Sequence, residues 1–147
     1  SFGQAFIKAQ LAAGFNISKS GGLLLSVCDD DKREIIPLVR ALAGLGYTFC
    51  ATAGTCERLQ KAGFDCEMVN KMGGARPNLI DRLNNGNINL VVNTISGQSS
   101  ARDAQVIRAE AIKLDLPLIT TVSALRALVE GLLEWQQSKP AALQDFH

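Results

Sequence analysis

The sequence predicts an α/β domain: a Rossmann-like three-layer sandwich around a five-stranded, mostly parallel sheet. Three observations lead there. Five short apolar runs recur along the chain, continuous and not alternating, as in strands buried on both faces. Between them lie stretches whose apolar residues fall on a helical stripe. Glycines stand just past several of these stretches, where a left-handed residue ends a helix.

Residues 2–13 read as a short helix, with Phe6, Ile7, Ala9 and Leu11 among its apolar positions. Residues 14–22 are polar and glycine-bearing, and read as a linker. The first strand covers 23–27 (Leu23-Leu24-Leu25-Ser26-Val27). The helix over 30–45 places Ile35, Ile36, Leu38, Val39, Leu42 and Leu45 on one stripe and stops at Gly46. Asp30 or Asp31 is its expected cap, with Glu34 as capping-box partner. Strand two follows at 47–51, a helix at 55–62 stopped by Gly63, and strand three at 66–69. Pro77 opens a short helix over 77–83 that closes near Asn85-Gly86. Strand four spans 89–93, a long helix 101–114, strand five 117–120 and a last helix 124–136. Residues 140–147 read as a loose tail.

Composition narrows the function. The chain has 147 residues, 47% of them hydrophobic, which suits one domain with a proper core. Lys and Arg number 15 against 14 acids, and neither half carries an excess, so no nucleic-acid arm is expected. The apolar runs are too short to span a bilayer, and no secretory signal is evident. Cys28, Cys50, Cys56 and Cys66 form no C-x-x-C pair and read as reduced thiols of a cytoplasmic protein, with Cys50 in plain core packing. The single histidine is His147, so no imidazole is at hand for a zinc site, for general acid–base work or for a Ser-His-Asp or Cys-His arrangement.

In an open parallel sheet, ligands bind beyond the carboxyl ends of the strands. The residues leaving those ends are therefore the candidates. They are Ser26 and Cys28-Asp29-Asp30-Asp31-Lys32; Thr52-Ala53-Gly54-Thr55; Asn70-Lys71-Met72-Gly73-Gly74; Asn93-Thr94-Ile95-Ser96-Gly97; and Thr120-Thr121. Hydroxyls, amides, glycines and two lysines suit a phosphate, and Gly54 sits between threonines at a helix start, where unsatisfied N–H groups attract anions. Each of these residue types also caps helices and fills turns, and Thr55 could be the cap before Cys56. Asp29-Asp30-Asp31 could suggest Mg²⁺, but three consecutive side chains point in different directions and capping explains them better, so no metal site is expected. Neither G-x-x-x-x-G-K-[ST] nor G-x-G-x-x-G occurs.

Together these junctions resemble the methylglyoxal-synthase-like fold and, within it, the C-terminal allosteric domain of the carbamoyl phosphate synthetase large subunit. Val69-Asn70-Lys71-Met72-Gly73-Gly74-Ala75-Arg76-Pro77 is similar to that family's V-N-K-V-x-E-G-R-P, extended by Asp81 and Asn85-Gly86. Val92-Asn93-Thr94-Ile95-Ser96-Gly97 is similar to I-N-T-x-S-G, Ala51-Thr52-Ala53-Gly54-Thr55 to A-T-x-G-T, and Val106-Ile107-Arg108 to V-I-R-R. The opening Phe2-Gly3-Gln4-Ala5-Phe6-Ile7-Lys8-Ala9-Gln10 resembles the A-F-x-K-A-Q segment that closes the preceding synthetase domain, so the chain reads as a piece cut from a longer polypeptide. The resemblance divides it into a synthetase tail with linker over 1–20, an allosteric domain over 21–137 and a loose tail over 138–147.

What the resemblance implies is regulation: UMP and IMP as effectors, with ornithine bound at the boundary with the synthetase. Ser26 and Lys32 match phosphate-side positions, Thr52 and Thr55 the threonines around the phosphate, and Lys71 the second lysine. Asn93 with Thr94 matches the base- and ribose-side loop, Ser96 joins the nucleotide-binding set, and Thr120 matches the threonine near ornithine. The piece itself would hold no cofactor and catalyse nothing. ATP with Mg²⁺ or Mn²⁺ would serve the parent ligase, whose partners are the rest of the large subunit and a glutaminase small subunit, feeding arginine and pyrimidine synthesis. A homo-oligomer is possible in such a family. Departures from its pattern are Gly74-Ala75 before Arg76-Pro77, and Gln98-Ser99 where many bacterial members carry two arginines.

Two alternatives stand beside this. Methylglyoxal synthase, acting on dihydroxyacetone phosphate, needs H-D-x-x-K and a G-G-D-Q loop. Here Cys28-Asp29-Asp30-Asp31-Lys32 lacks the histidine, and Gly73-Gly74-Ala75-Arg76 lacks the aspartate that would act as base. The other is a docking or oligomerisation module without ligand, with the helix bearing Trp135 as its surface.

Overall fold

A computed structural model describes residues 3–5, 7–8, 21–70, 78–95 and 101–138. In chain order the elements are β1 (Gly22–Ser26), α1 (Asp29–Gly44), β2 (Thr48–Thr52), α2 (Ala53–Lys61), β3 (Glu67–Val69), α3 (Leu79–Asn84), β4 (Leu90–Asn93), α4 (Ala101–Lys113), β5 (Leu118–Ile119) and α5 (Val122–Ser138). The sheet has the order β3-β2-β1-β4-β5, and each pairing is parallel.

Strand periodicity separates two cores. Leu23 and Leu25 of β1, Phe49 and Ala51 of β2, and Leu90 and Val92 of β4 face one side, with Val39 and Leu42 of α1, Leu59 of α2 and Leu125 and Leu128 of α5. Leu24, Cys50 and Val91 point the other way, toward Leu79 and Leu83 of α3 and Ile107 and Ala111 of α4. This is the three-layer sandwich, with the central strands buried on both faces as their continuous apolar runs require.

Local chemistry sets the helix ends. At α1 the Tyr47 N–H reaches the Leu42 carbonyl and the Gly46 N–H the Ala43 carbonyl, each at 3.1 Å, with Gly46 at φ 99°. Phe64, Gly63, Leu59 and Gln60 repeat the motif at α2. At α4 the left-handed residue is Asp115.

Four expectations need correction. Neither Asp30 nor Asp31 caps α1: the cap position is Cys28, whose carbonyl accepts the Asp31 N–H at 3.1 Å, and all three aspartates lie in the first turn. Carboxylates there are favourable beside the N-terminal end of the helix dipole. Thr55 is not the cap of α2, because the helix begins at Ala53 with Thr52 at the cap position. The short helix begins at Leu79 and not at 77, which lies outside the described residues: Asn78 caps it through a reciprocal capping box with Asp81. The linker ends before Gly22, which opens β1, its N–H held by Asn89 Oδ1 at 2.9 Å.

The first helix of the sequence reading lies partly outside the described residues. Within it Ile7 is buried in the first core, and Gly3 meets Gly131 of α5 backbone to backbone.

Candidate functional site

The order β3-β2-β1-β4-β5 reverses direction between β1 and β4, which places a topological switch point at their carboxyl ends. The register aligns Thr52 with Val69, Leu25 with Ala51 and Ser26 with Asn93, so Thr52, Ser26 and Asn93 stand in a row across β2, β1 and β4. Val92 pairs with Ile119, and Thr120, half-buried one residue later, extends that row past β5.

Two of the sequence-predicted hydroxyls hold the backbone together. Thr55 is buried; its Oγ1 accepts the Val27 N–H at 3.2 Å and donates to the Val27 carbonyl at 3.3 Å. Thr94, also buried, accepts the Cys28 N–H at 3.1 Å through Oγ1 and donates to Cys28 Sγ at 3.5 Å. These bonds pin the segment leaving β1 to α2 on one side and to the end of β4 on the other. The contribution Thr55 can offer a ligand is thus its backbone N–H in the first turn of α2.

The remaining groups converge on the start of α2. Thr52 makes no side-chain capping bond; its hydroxyl donates to Ser26 Oγ at 3.5 Å. No acid lies in the first turn of α2, whereas the first turn of α1 holds three. The N–H groups of Ala53, Gly54 and Thr55 precede any helical acceptor. Lys32 comes to this turn from α1: a Cβ built on Gly54 would lie 2.7 Å from Lys32 Nζ. The ammonium is steadied by Asp29 Oδ1 at 2.5 Å, and that bond holds the Asp29 carboxyl below its ordinary range. Gly54 therefore lets a cation sit against the end of α2 where any larger residue would push it away.

Asn93 is 3% exposed and its Nδ2 donates to the Ser26 carbonyl at 3.1 Å. Cys28 donates from Sγ to Asp31 Oδ2 at 3.0 Å, and burial, with that carboxylate beside it, keeps the thiol protonated to higher pH than usual despite the Thr94 hydroxyl. Lys71 and Ser96 lie outside the described residues, as do Gly74, Ala75, Gln98 and Ser99. Thr121 beside Thr120 caps α5, its Oγ1 accepting the Ala124 N–H at 3.1 Å. The sequence reading did not single out Arg108 as a site residue. From α4 its Nη2 donates to the Asn93 carbonyl oxygen at 3.3 Å. The Val106-Ile107-Arg108 resemblance marked the residue but gave no sign of where its side chain reaches.

Among the described residues no group of three or more His, Cys, Asp and Glu is placed to hold a metal ion, and no helix is long and apolar enough to cross a membrane. The crevice is rich in donors: an ammonium, hydroxyls and open backbone N–H groups.

The fold defines a three-layer α/β domain with this cluster of polar groups at the carboxyl ends of its strands. The sequence profile of the MGS-like domain matches residues 34–120, and the chain belongs to that family. It is similar to the C-terminal section of the carbamoyl phosphate synthase large chain of Methanopyrus kandleri, 41% identical over 133 residues, which is 90% of this chain and 24% of that protein. It is likewise similar to the large chain of Acidobacterium capsulatum, 42% identical over 137 residues, 93% of this chain and 12% of that one. The chain thus spans a quarter or less of these curated relatives. In fold it is similar to the crystal structure of methylglyoxal synthase from Elizabethkingia anophelis, with a TM-score of 0.61 at 14% identity over 77% of this chain and 79% of that one.

Proposed function

We propose that this chain is the regulatory domain of a carbamoyl phosphate synthetase large chain and that it binds nucleotide monophosphates, UMP or IMP, at the strand ends. One observation carries the reading: the Lys32 ammonium rests against Gly54, at a helix N-terminus with no acid of its own. A helix N-terminus and a cation at one point make a phosphate site without further machinery. Thr52 and Ser26 add hydroxyls to the phosphate end, Asn93 takes the base and ribose side, and Lys71 and Ser96 complete the set in this reading. Thr120 lies toward the ornithine-binding boundary.

The mechanism is differential binding. A nucleotide whose affinity differs between two arrangements of the parent enzyme shifts their balance by that difference, and no more. ATP with Mg²⁺ or Mn²⁺, the glutaminase subunit and the ligase chemistry belong to the parent, which works in the cytoplasm for arginine and pyrimidine synthesis. Lys32→Ala should weaken UMP or IMP binding at least about tenfold, because a charge-assisted bond to phosphate contributes on the order of 1.5–3 kcal/mol. Thr52→Ala should weaken it less, and both variants should melt close to the parent chain. Calorimetric titration checks this, with dihydroxyacetone phosphate turnover as the control for the enzyme reading. Unchanged affinity in both variants would remove the site from this crevice.

A further inference from the structure

Two cysteines meet where α2 turns into β3. Cys56 of α2 is 2% exposed, and its Sγ donates to the Cys66 carbonyl oxygen at 3.3 Å. Gln60, one turn further along the same face of the helix, donates from Nε2 to that same oxygen at 3.1 Å. Residue 66 is thus held against this face of α2 from two points. The Cys56 and Cys66 thiols are themselves in hydrogen-bonding contact. Cys66 Sγ also donates to the Glu67 carbonyl oxygen at 3.8 Å. Both cysteines are free thiols.

The two differ in access. Cys66 is half-buried and lines an open cavity of about 600 Å³ together with Phe49, Gln60, Phe64 and Glu67. Thr48, the first residue of β2, lines it too, so this cavity opens at the amino ends of the strands, away from the Lys32 crevice. Core packing accounts for Cys56, since a buried thiol behaves as a small hydrophobe. It does not account for a second thiol set against the first on the wall of an open cavity. The connection between them is short: ten positions separate the cysteines, and Gly63 at φ 94° turns the chain back.

We propose that Cys56 and Cys66 form a reversible oxidation site, closing to a disulfide that ties α2 to the start of β3 without displacing either element. The oxidant is a small-molecule disulfide. Cys66 gives its proton to solvent and its thiolate attacks one sulfur of the oxidant, whose S–S bond breaks; the released half takes up a proton and leaves as a thiol. Cys56 then gives up its proton and attacks Cys66 Sγ, and the second half leaves in the same way. Two protein thiols lose two electrons, and the oxidant gains them as two thiols. The first step is slow at neutral pH: burial, the Cys56 and Cys50 thiols and the Glu67 carboxylate all hold the Cys66 proton above the usual thiol range. The pair therefore answers sustained oxidation and not a brief pulse, and a reducing compartment makes the bond transient.

The test incubates the full chain with excess oxidised glutathione at about pH 8.5, near the ordinary thiol pKa, and then labels it with N-ethylmaleimide under denaturing conditions for peptide mapping by mass spectrometry. Of the four cysteines, Cys28 and Cys50 should take the label, and Cys56 and Cys66 should appear joined. The joined chain should melt about 5 °C higher, because the link closes a loop in the unfolded chain, and dithiothreitol should reverse the rise. Cys56→Ala should stop at the first step, with one glutathione held on Cys66. Label on all four cysteines, glutathione retained on Cys66 of the unaltered chain, a link between Cys50 and Cys66, or a joined chain that melts no higher than the reduced one would each overturn the proposal.

Discussion

At the residue scale, Gly54 and Lys32 are the most informative pair. The glycine has no positive φ to excuse it; what it supplies is room for the lysine ammonium. Because the displaced atom would be the tip of a flexible side chain, Gly54→Ala should cost little stability and gain some helix propensity. It should nonetheless weaken phosphate binding several-fold by moving the charge, a contrast that paired melting and titration would expose. The threonines show what is legible in a sequence and what is not. Thr52 and Thr55 stand out because a strand-to-helix junction with glycine is a local pattern. That Thr55 turns its hydroxyl to Val27, 28 positions away, follows only from the packing of α2 on β1. Arg108 is illegible for the same reason, since nothing local announces that an arginine on a helix will reach β4. The thiols respond to burial. Desolvation holds Cys50 up to about 11. A thiol is ordinarily near 8.5 when unfolded, so the folded state keeps its proton longer. That contribution, on the order of 3 kcal/mol, is full below about pH 8.5 and is lost as pH rises toward about 11. Urea midpoints should therefore fall across this window, and Cys50→Val should flatten the decline.

At the element scale, helix ends were readable where glycine marks them and misread where side chains compete, as at the Asn78 cap of α3. Gly46 and Gly63 end α1 and α2 as their positions indicate. The start of α1 shifted to Cys28 because Thr94, distant in sequence, holds the Cys28 N–H and lets the first turn close earlier. The contact of Gly3 and Ile7 with α5 is also tertiary. A methyl group on Gly131 would overlap the Gly3 carbonyl oxygen and the end of Ile7. Alanine would add about 1 kcal/mol of helix propensity, but forcing Ile7 out of the core would cost on the order of 1.5–3 kcal/mol. Burial outweighs propensity, so Gly131→Ala should lower the melting temperature by several degrees. A rise would mean that this segment contributes nothing to the core.

At the scale of the whole molecule, the fold class follows from alternation of buried strands and helices, and the sheet proved parallel throughout. The strand order did not follow from any residue; it arises because the crossover through α3 passes back beyond β1 to the other face. That reversal creates the switch point where Ser26 and Asn93 meet. The geometry gives these residues distinct parts: Thr55 and Thr94 brace the segment leaving β1, and Lys32 rests its ammonium against Gly54. The most direct test is a calorimetric titration of the chain with UMP and with IMP, repeated in excess inorganic phosphate. Saturable binding of at least one nucleotide, weakened by phosphate as competition requires, is the expected result; no binding of either nucleotide, or binding indifferent to phosphate, would contradict it.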